Sequence, residues 1–368
     1  MSSSPAISVA MSVYNGERFL AEAIESILGQ SFTDFEFLIL DDGSHDATRA
    51  IVEGYAARDP RIRLIARENR GLVASLNQLI DESRAPLIAR MDADDISRPE
   101  RFERQVEFLA ARPDYGVVGT WSEDIDEFGL PYIATGPEHP STHDEFLAAI
   151  ESGGQLMCHP AAMLRRHVVL SVGGYHAAFR HCEDLDLWLR LASVTRLGNI
   201  TERLIRYRRY PEQVSCRHAT EQQVGAAIAK IAYEERAAGR PDPTAELVSL
   251  PPIADLDALF CRKGVAKRVL EKVSAGLRYS RAAMAGDGFT LLVGYLQSGG
   301  SHEGMWRTAG RLLRFGFPLR ALKLGRVLVA TMGADHGRGW SAEIAGGGML
   351  DTATPAPANH PLIDRKTR

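Results

Sequence analysis

Short apolar runs alternate with amphipathic stretches through the first quarter of the chain, and this alternation restricts the fold more than any other feature. Ile7–Val13 is apolar and β-branched, and Arg18–Leu28 places Phe19, Leu20, Ala23, Ile24 and Ile27 on one helical face. Phe35–Leu40 reads as a second strand. Ala47–Ala57 reads as a second helix, with Ser44 or Asp46 as its N-cap. Ile62–Ala66, Leu72–Ile80 and Leu87–Met91 continue the series as strand, helix and strand. Near-continuous apolar strands separated by helices predict an α/β fold, with a mostly parallel twisted sheet and helices on both faces.

Such sheets bind ligands beyond the carboxyl ends of their strands. The four predicted strands run into Tyr14-Asn15-Gly16, Asp41-Asp42-Gly43-Ser44, Arg67-Glu68-Asn69-Arg70-Gly71 and Asp92-Ala93-Asp94-Asp95. Polar and acidic loops therefore converge on one edge. Asp92, Asp94 and Asp95 repel one another and favour a hard divalent cation, Mg2+ or Mn2+, which would in turn take phosphate oxygens. The bland alternative is an acidic turn before a helix opened by Ser97 and Pro99. Asp42 has two readings, acceptor from a base or ribose and ordinary turn residue. Glu183-Asp184 opens an amphipathic stretch, Glu183–Ala192, where the helix dipole keeps a carboxylate ionised and suited to accept a proton; a simple capping acid is the competing reading. His159-Pro160 reads equally as a turn, and Arg206–Tyr210 as a solvated strand edge or a phosphate clamp.

Several classes are excluded. No Gly-x-Gly-x-x-Gly follows the first strand, and no Walker-type phosphate loop or Gly-x-Ser-x-Gly elbow occurs. A net charge of −4 does not supply the basic surface that nucleic acid requires. The four cysteines lack paired metal-site spacing. With no signal-peptide pattern and no apolar run long enough to span a bilayer, they imply reduced thiols in a cytoplasmic protein.

Taken in order, Ile7–Gly16, Leu38–Ser44, Asn69–Leu72 with Leu76-Asn77, and Arg90–Ser97 resemble a family-2 glycosyltransferase with the Rossmann-like glycosyltransferase A fold. The likeness continues through Pro99, Arg101 and Gln105, then His159-Pro160, Gly173-Gly174-Tyr175, Glu183–Leu191 and Tyr207-Arg208, so that it covers Ile7 to Ser215. The resemblance implies inverting transfer of a sugar from a nucleoside-diphosphate donor, UDP by family frequency, to an acceptor hydroxyl. The acceptor would be a glycan or lipid-linked molecule of cell-surface polysaccharide or glycolipid synthesis. It places Ser12, Tyr14, Asn15 and Glu17 near the base and ribose, Asp42 on the base or ribose, Arg70 and Asn77 beside the donor, and Asp92 on the sugar or ribose. Asp94 would hold the metal, with Asp92 or His218 as a further ligand. Asp184 would be the general base, and Glu183, Trp188 and His159 would face the acceptor. One departure stands out: Tyr210 occupies a position where many members carry His. A nucleotidyltransferase and a non-catalytic sugar-nucleotide or glycan-binding scaffold are the competing readings.

Residues 1–219 are expected to form the catalytic domain, with a nucleotide-binding half to 112 and an acceptor half from 113. A helical region follows over 220–345, and a Pro- and charge-rich tail over 346–368 is expected to stay disordered. Trp306–Met332 is apolar and basic, with Gly316 and Pro318 predicting two helices joined by a bend. It reads either as a peripheral contact with the cytoplasmic face of a membrane or as a hairpin packed on the catalytic domain or a second subunit.

Overall fold

The computed structural model describes residues 4–132, 136–210, 213 and 218–343. The predicted tail 346–368, Ser215 and Cys216 lie outside the described residues. An eight-stranded sheet comprises β1 (Ile7–Val13), β2 (Phe35–Asp41), β3 (Ile62–Ala66), β4 (Leu87–Asp92), β5 (Ile96–Ser97), β6 (Tyr115–Ile125), β7 (Met163–Arg165) and β8 (Arg196–Arg208). Helices α1 (Leu20–Leu28), α2 (Thr48–Ala56), α3 (Leu72–Glu82) and α4 (Arg101–Ala111) accompany the first half. They are followed by α5 (His143–Ser152), α6 (Arg166–Ser171), α7 (Glu183–Leu191) and α8 (Ala219–Ala237). The remaining helices are α9 (Leu256–Leu259), α10 (Val265–Leu277), α11 (Arg281–Ala285), α12 (Gly288–Gln297), α13 (Met305–Arg314) and α14 (Pro318–Glu343).

The strand order is β3-β2-β1-β4-β7-β6-β8-β5. The first four strands are all parallel, as the alternation predicts. The other half is mixed: β7 runs antiparallel to both β4 and β6, and β5 to β8, while β6 and β8 are parallel. The connection through α5 returns the chain between β4 and β6 in the opposite direction, which local periodicity does not reveal. Apolar side chains of β1, β2 and β4 form the core with α1 and α4, and β2 is buried along its whole length.

Two helix starts differ from expectation. The cap of α2 is Ala47, not Ser44 or Asp46. Asp46 still accepts from the Thr48 N–H at 3.0 Å, whereas Ser44 Oγ accepts from the Asn15 N–H at 2.9 Å. Ser97 lies in β5, and α4 begins at Arg101. The chain forms two compact units, the first ending at Tyr295 and the second starting at Leu296. The expected boundary at 219 lies within the first unit, where α8 packs against α7.

Register makes the binding edge. Ser12 pairs with Leu40 on one side and Asp92 on the other, and Val13 pairs with Asp41. The parallel strands therefore end together, and their loops emerge at one level. At the opposite end, Glu36 is a carboxylate inside a buried strand. It accepts from Ser8 Oγ at 2.6 Å, the Arg84 N–H at 2.8 Å and Arg84 Nε at 2.7 Å. Burial pushes its pKa up, but these donors outweigh burial and hold it below its usual value. A depressed folded-state pKa means its stabilisation is full above the unfolded pKa and is lost as pH falls through the folded one. Glu36→Leu, which strands the Arg84 N–H and Ser8, is expected to cost about 1–3 kcal/mol. Chemical denaturation at neutral pH should show this loss, and the difference from the parent should shrink towards acid.

Candidate active site

The loops at the ends of β1, β2 and β3 are tied together by their own polar groups. Asn15 adopts a positive φ of 51° and accepts from the His45 N–H at 2.9 Å. Glu17 accepts from the Ala47 N–H at 2.8 Å, and the Gly16 N–H donates to Thr48 Oγ1 at 2.8 Å. Gly43 is required here, because it has φ 81° and an added Cβ would meet the Asn69 nitrogen at 2.8 Å. Asp42 is buried and organises the third loop. It accepts from Arg67 Nε at 2.9 Å, the Arg70 N–H at 3.0 Å and the Gly71 N–H at 2.8 Å. The Arg70 side chain is exposed, as is half of Tyr14, and Ser12, one residue before the end of β1, pairs with Asp92. The amide of Asn77 is committed to the backbone of Tyr175, donating to its carbonyl and accepting from its N–H, each at 2.8 Å.

The acidic turn after β4 is held from both sides by buried arginines. Arg90, in the strand itself, lies 2.6 Å from Asp92 Oδ1. Arg208, at the end of β8, donates its N–H to Asp95 Oδ1 and its Nε to the Asp94 carbonyl, both at 2.8 Å, and its Nη2 to Glu22 at 2.5 Å. The Arg206–Tyr210 run is therefore not a solvated edge throughout, since Arg208 is a buried bolt. Tyr210 donates its hydroxyl to Asp94 Oδ2 at 2.8 Å. Burial, then the charge of Asp92, pushes Asp94 up to about 6, and the Tyr210 hydroxyl draws it back down. Asp95 is raised well above its usual value by burial and by the Asp94 charge, and its Oδ2 has no hydrogen-bond partner.

Oxygens of Asp92, Asp94 and Asp95 lie within 4.8 Å of one another. An all-carboxylate set with mutual repulsion and an orphaned buried oxygen fits a hard divalent cation. His218 is not in this group. It stacks on His181 at 4.0 Å, and both rings approach Glu221 at 3.4 Å.

A cleft of about 630 Å³ unites the acidic turn with α7. Asp92, Asp94, His159, Glu183, Asp184 and Trp188 all line it, while Ser12, Tyr14, Asn15, Glu17, Asp42, Arg70 and Asn77 do not. Asp184 Oδ1 accepts from the Leu185 N–H at 2.7 Å, and burial raises its pKa. Glu183 is pushed up to about 8 by burial and then by the Asp184 charge, and its Oε2 has no partner. Trp188 is almost fully buried, with its indole N–H unpaired and its ring edge-on to His159 at 6.0 Å. Its roles as core residue and cleft wall therefore coincide. His159 Nε2 is 2.7 Å from the Tyr175 hydroxyl, and burial, then the Arg90 charge, holds the ring well below its usual pKa. Arg90 also lines the cleft, with Nε unpaired. Its charge is the signal that sequence reasoning overlooks: an arginine inside an apolar strand, two residues before an aspartate, needs a buried anion.

The chain is similar to known proteins. The family model for glycosyl transferase family 2 matches residues 8–173, a span that ends before α7. EpsE of Bacillus subtilis, named for glycosyltransferase activity, is 40% identical over 213 residues, covering 56% of this chain and 74% of that protein. The O-antigen biosynthesis glycosyltransferase WbnJ of Escherichia coli is 32% identical over 211 residues, covering 55% and 79%. Among solved structures, S. aureus TarS in complex with UDP shares the fold, with a TM-score of 0.53 at 15% identity over 90% of this chain and 91% of that one. The chain belongs to glycosyl transferase family 2 and is a glycosyltransferase.

Proposed function

We propose that this glycosyltransferase moves a sugar, with inversion, from a nucleoside-diphosphate donor of the UDP-sugar type to a hydroxyl of a glycan or lipid-linked acceptor in cell-surface polysaccharide or glycolipid synthesis. The cytoplasm, including its membrane face, is the proposed compartment. One observation carries the reading. A single cleft holds the acidic turn at one side and the N-terminal carboxylates of α7 at the other. Unpaired atoms of Arg90, Glu183 and Trp188, two donors and an acceptor or acid, belong to residues that line it. Sugar hydroxyls, which donate and accept, satisfy such a mixture.

The ends of β1 and β2 and the loop after β3 receive the nucleotide. Ser12, Tyr14, Asn15, Glu17 and Asp42 serve the base and ribose directly or by holding the loops, and Arg70 and Asn77 stand beside the donor. Asp94, with Asp92, would hold Mg2+ or Mn2+, which would supply positive charge to offset that of a leaving diphosphate. Asp92 also faces the sugar or ribose. On the other side Asp184 accepts the proton of the acceptor hydroxyl through Oδ2. The hydroxyl oxygen bonds to the anomeric carbon as the carbon–phosphate-oxygen bond breaks, and that electron pair leaves on the diphosphate. Glu183, largely protonated at neutral pH, Trp188 and His159 position the acceptor. The nucleotidyltransferase and silent-scaffold readings lack a comparable observation.

Asp184→Asn is expected to lower transfer by about 10²–10⁴-fold while leaving donor affinity intact by calorimetry; full turnover by this variant would remove Asp184 as the base. Because burial raises Asp184, it is protonated at a pH where an exposed aspartate is already ionised. Transfer should therefore fall with acidification along a limb displaced upward from the usual aspartate value, and Asp184→Asn should show no such limb. Tyr210→His, which places a metal-ligating side chain beside Asp94, is expected to tighten Mn2+ binding, and Asp94→Ala to abolish both binding and transfer. Unchanged Mn2+ affinity in Asp94→Ala would move the metal elsewhere.

A further inference from the structure

The hairpin of α13 and α14 has satisfied one apolar face and left another uncovered. Met305, Thr308 and Leu312 of α13 and Ala321, Leu324 and Leu328 of α14 are buried, so each helix spends one stripe on the hairpin's own packing. His302 Nε2 to Thr331 Oγ1, at 2.6 Å, and the Phe317 N–H to the Leu312 carbonyl, at 2.8 Å, hold the pair together. A second stripe remains outside. Trp306 and Leu313, seven residues apart on α13, are 53% and 59% exposed, and Leu322 and Val329, seven apart on α14, are 55% and 65% exposed. They line an open apolar groove of about 890 Å³ together with Pro318 and Gly325. Exposed apolar surface of this continuity marks an interaction site rather than ordinary surface scatter.

The charges around it decide the partner. Trp306–Met332 contains six cations, Arg307, Arg311, Arg314, Arg320, Lys323 and Arg326, and no Asp or Glu, in a chain whose net charge is −4. A second copy of this face would set the same six positive charges against themselves. A fluid anionic surface with an apolar interior accommodates both features: the apolar stripe enters the acyl boundary, and the stems of the exposed Arg307, Arg314 and Arg326 extend to the headgroups. No described helix is long and apolar enough to cross a membrane, so the contact lies in the interface. We propose that the Trp306–Leu313–Leu322–Val329 face of the α13–α14 hairpin is a docking surface for an anionic lipid bilayer. This assignment stands independently of the sugar-transfer reading.

The test is co-sedimentation of the full chain with vesicles of phosphatidylcholine alone or mixed with phosphatidylglycerol, alongside light scattering to give the oligomeric state. The parent chain is expected to pellet with the anionic vesicles and not with the neutral ones, less so at high salt. Leu322→Glu with Val329→Glu, and separately Arg307→Gln with Arg326→Gln, should each weaken binding by roughly tenfold or more. Should the glutamate pair fail to fold by circular dichroism, the glutamine pair, whose sites are exposed, decides alone. Absence of binding to anionic vesicles overturns the proposal. So does a parent dimer that the glutamate pair dissociates while vesicle binding stays unchanged, which would assign the groove to a second copy.

Discussion

Two buried arginines hold the acidic turn in place. Arg90 pairs with Asp92, while Arg208 gives its backbone N–H to Asp95 and its Nε to the Asp94 carbonyl, so the turn is fixed from two strands. Each arginine is nearly inaccessible to water. Removing a partner from such a network leaves a buried charge uncompensated, which is far more destabilising than the net worth of the pair. Arg208 also reaches Glu22 of α1 and lies over the Phe19 ring at 4.5 Å. The turn that carries the site is thus bolted to both halves of the sheet.

That bolt explains why chemistry gathers where it does. Parallel register ends β1, β2 and β4 at one level, so their loops form one rim. The antiparallel β7, inserted beside β4, continues into the segment leading to α7. The cleft opens between the acidic rim and the first turn of α7, and its walls carry carboxylates with very different environments. Glu183 is driven towards neutrality, whereas Asp184 keeps a backbone N–H on one oxygen.

The alternation of strand and helix was legible from periodicity because burial on a repeating face is encoded locally, and β1 matches its predicted range residue for residue. The convergence of polar loops was legible for the same reason, through the rule for parallel strands. Less was legible about individual side chains. Sequence left Asp42 open between a base or ribose contact and a turn residue, and only the structure shows that it accepts three hydrogen bonds from the β3 loop and that the Asn77 amide bonds Tyr175. His218, a possible further ligand by resemblance, lies with His181 and Glu221 and apart from the Asp92–Asp95 group. Hydrogen-bond commitment is a property of neighbours, and neighbours distant in sequence leave no periodic trace.

From the order of residues alone came the α/β class, the edge at which ligands meet the sheet, and the three acidic positions Asp42, Asp94 and Asp184. Apolar repeats carry the fold class and the edge, while the resemblance to a family singles out the three acidic positions from carboxylates at strand and helix ends. Tertiary structure alone decided that Asp94 and Asp184 share one cleft, that Asp42 accepts from the loop after β3, that Arg90 pairs with Asp92 while Arg208 fastens the turn, and that Tyr210 donates to Asp94 from 116 residues away. The reason is physical: the proton affinity and free valences of a buried carboxylate are set by the charges and donors that folding brings around it, not by its neighbours along the chain.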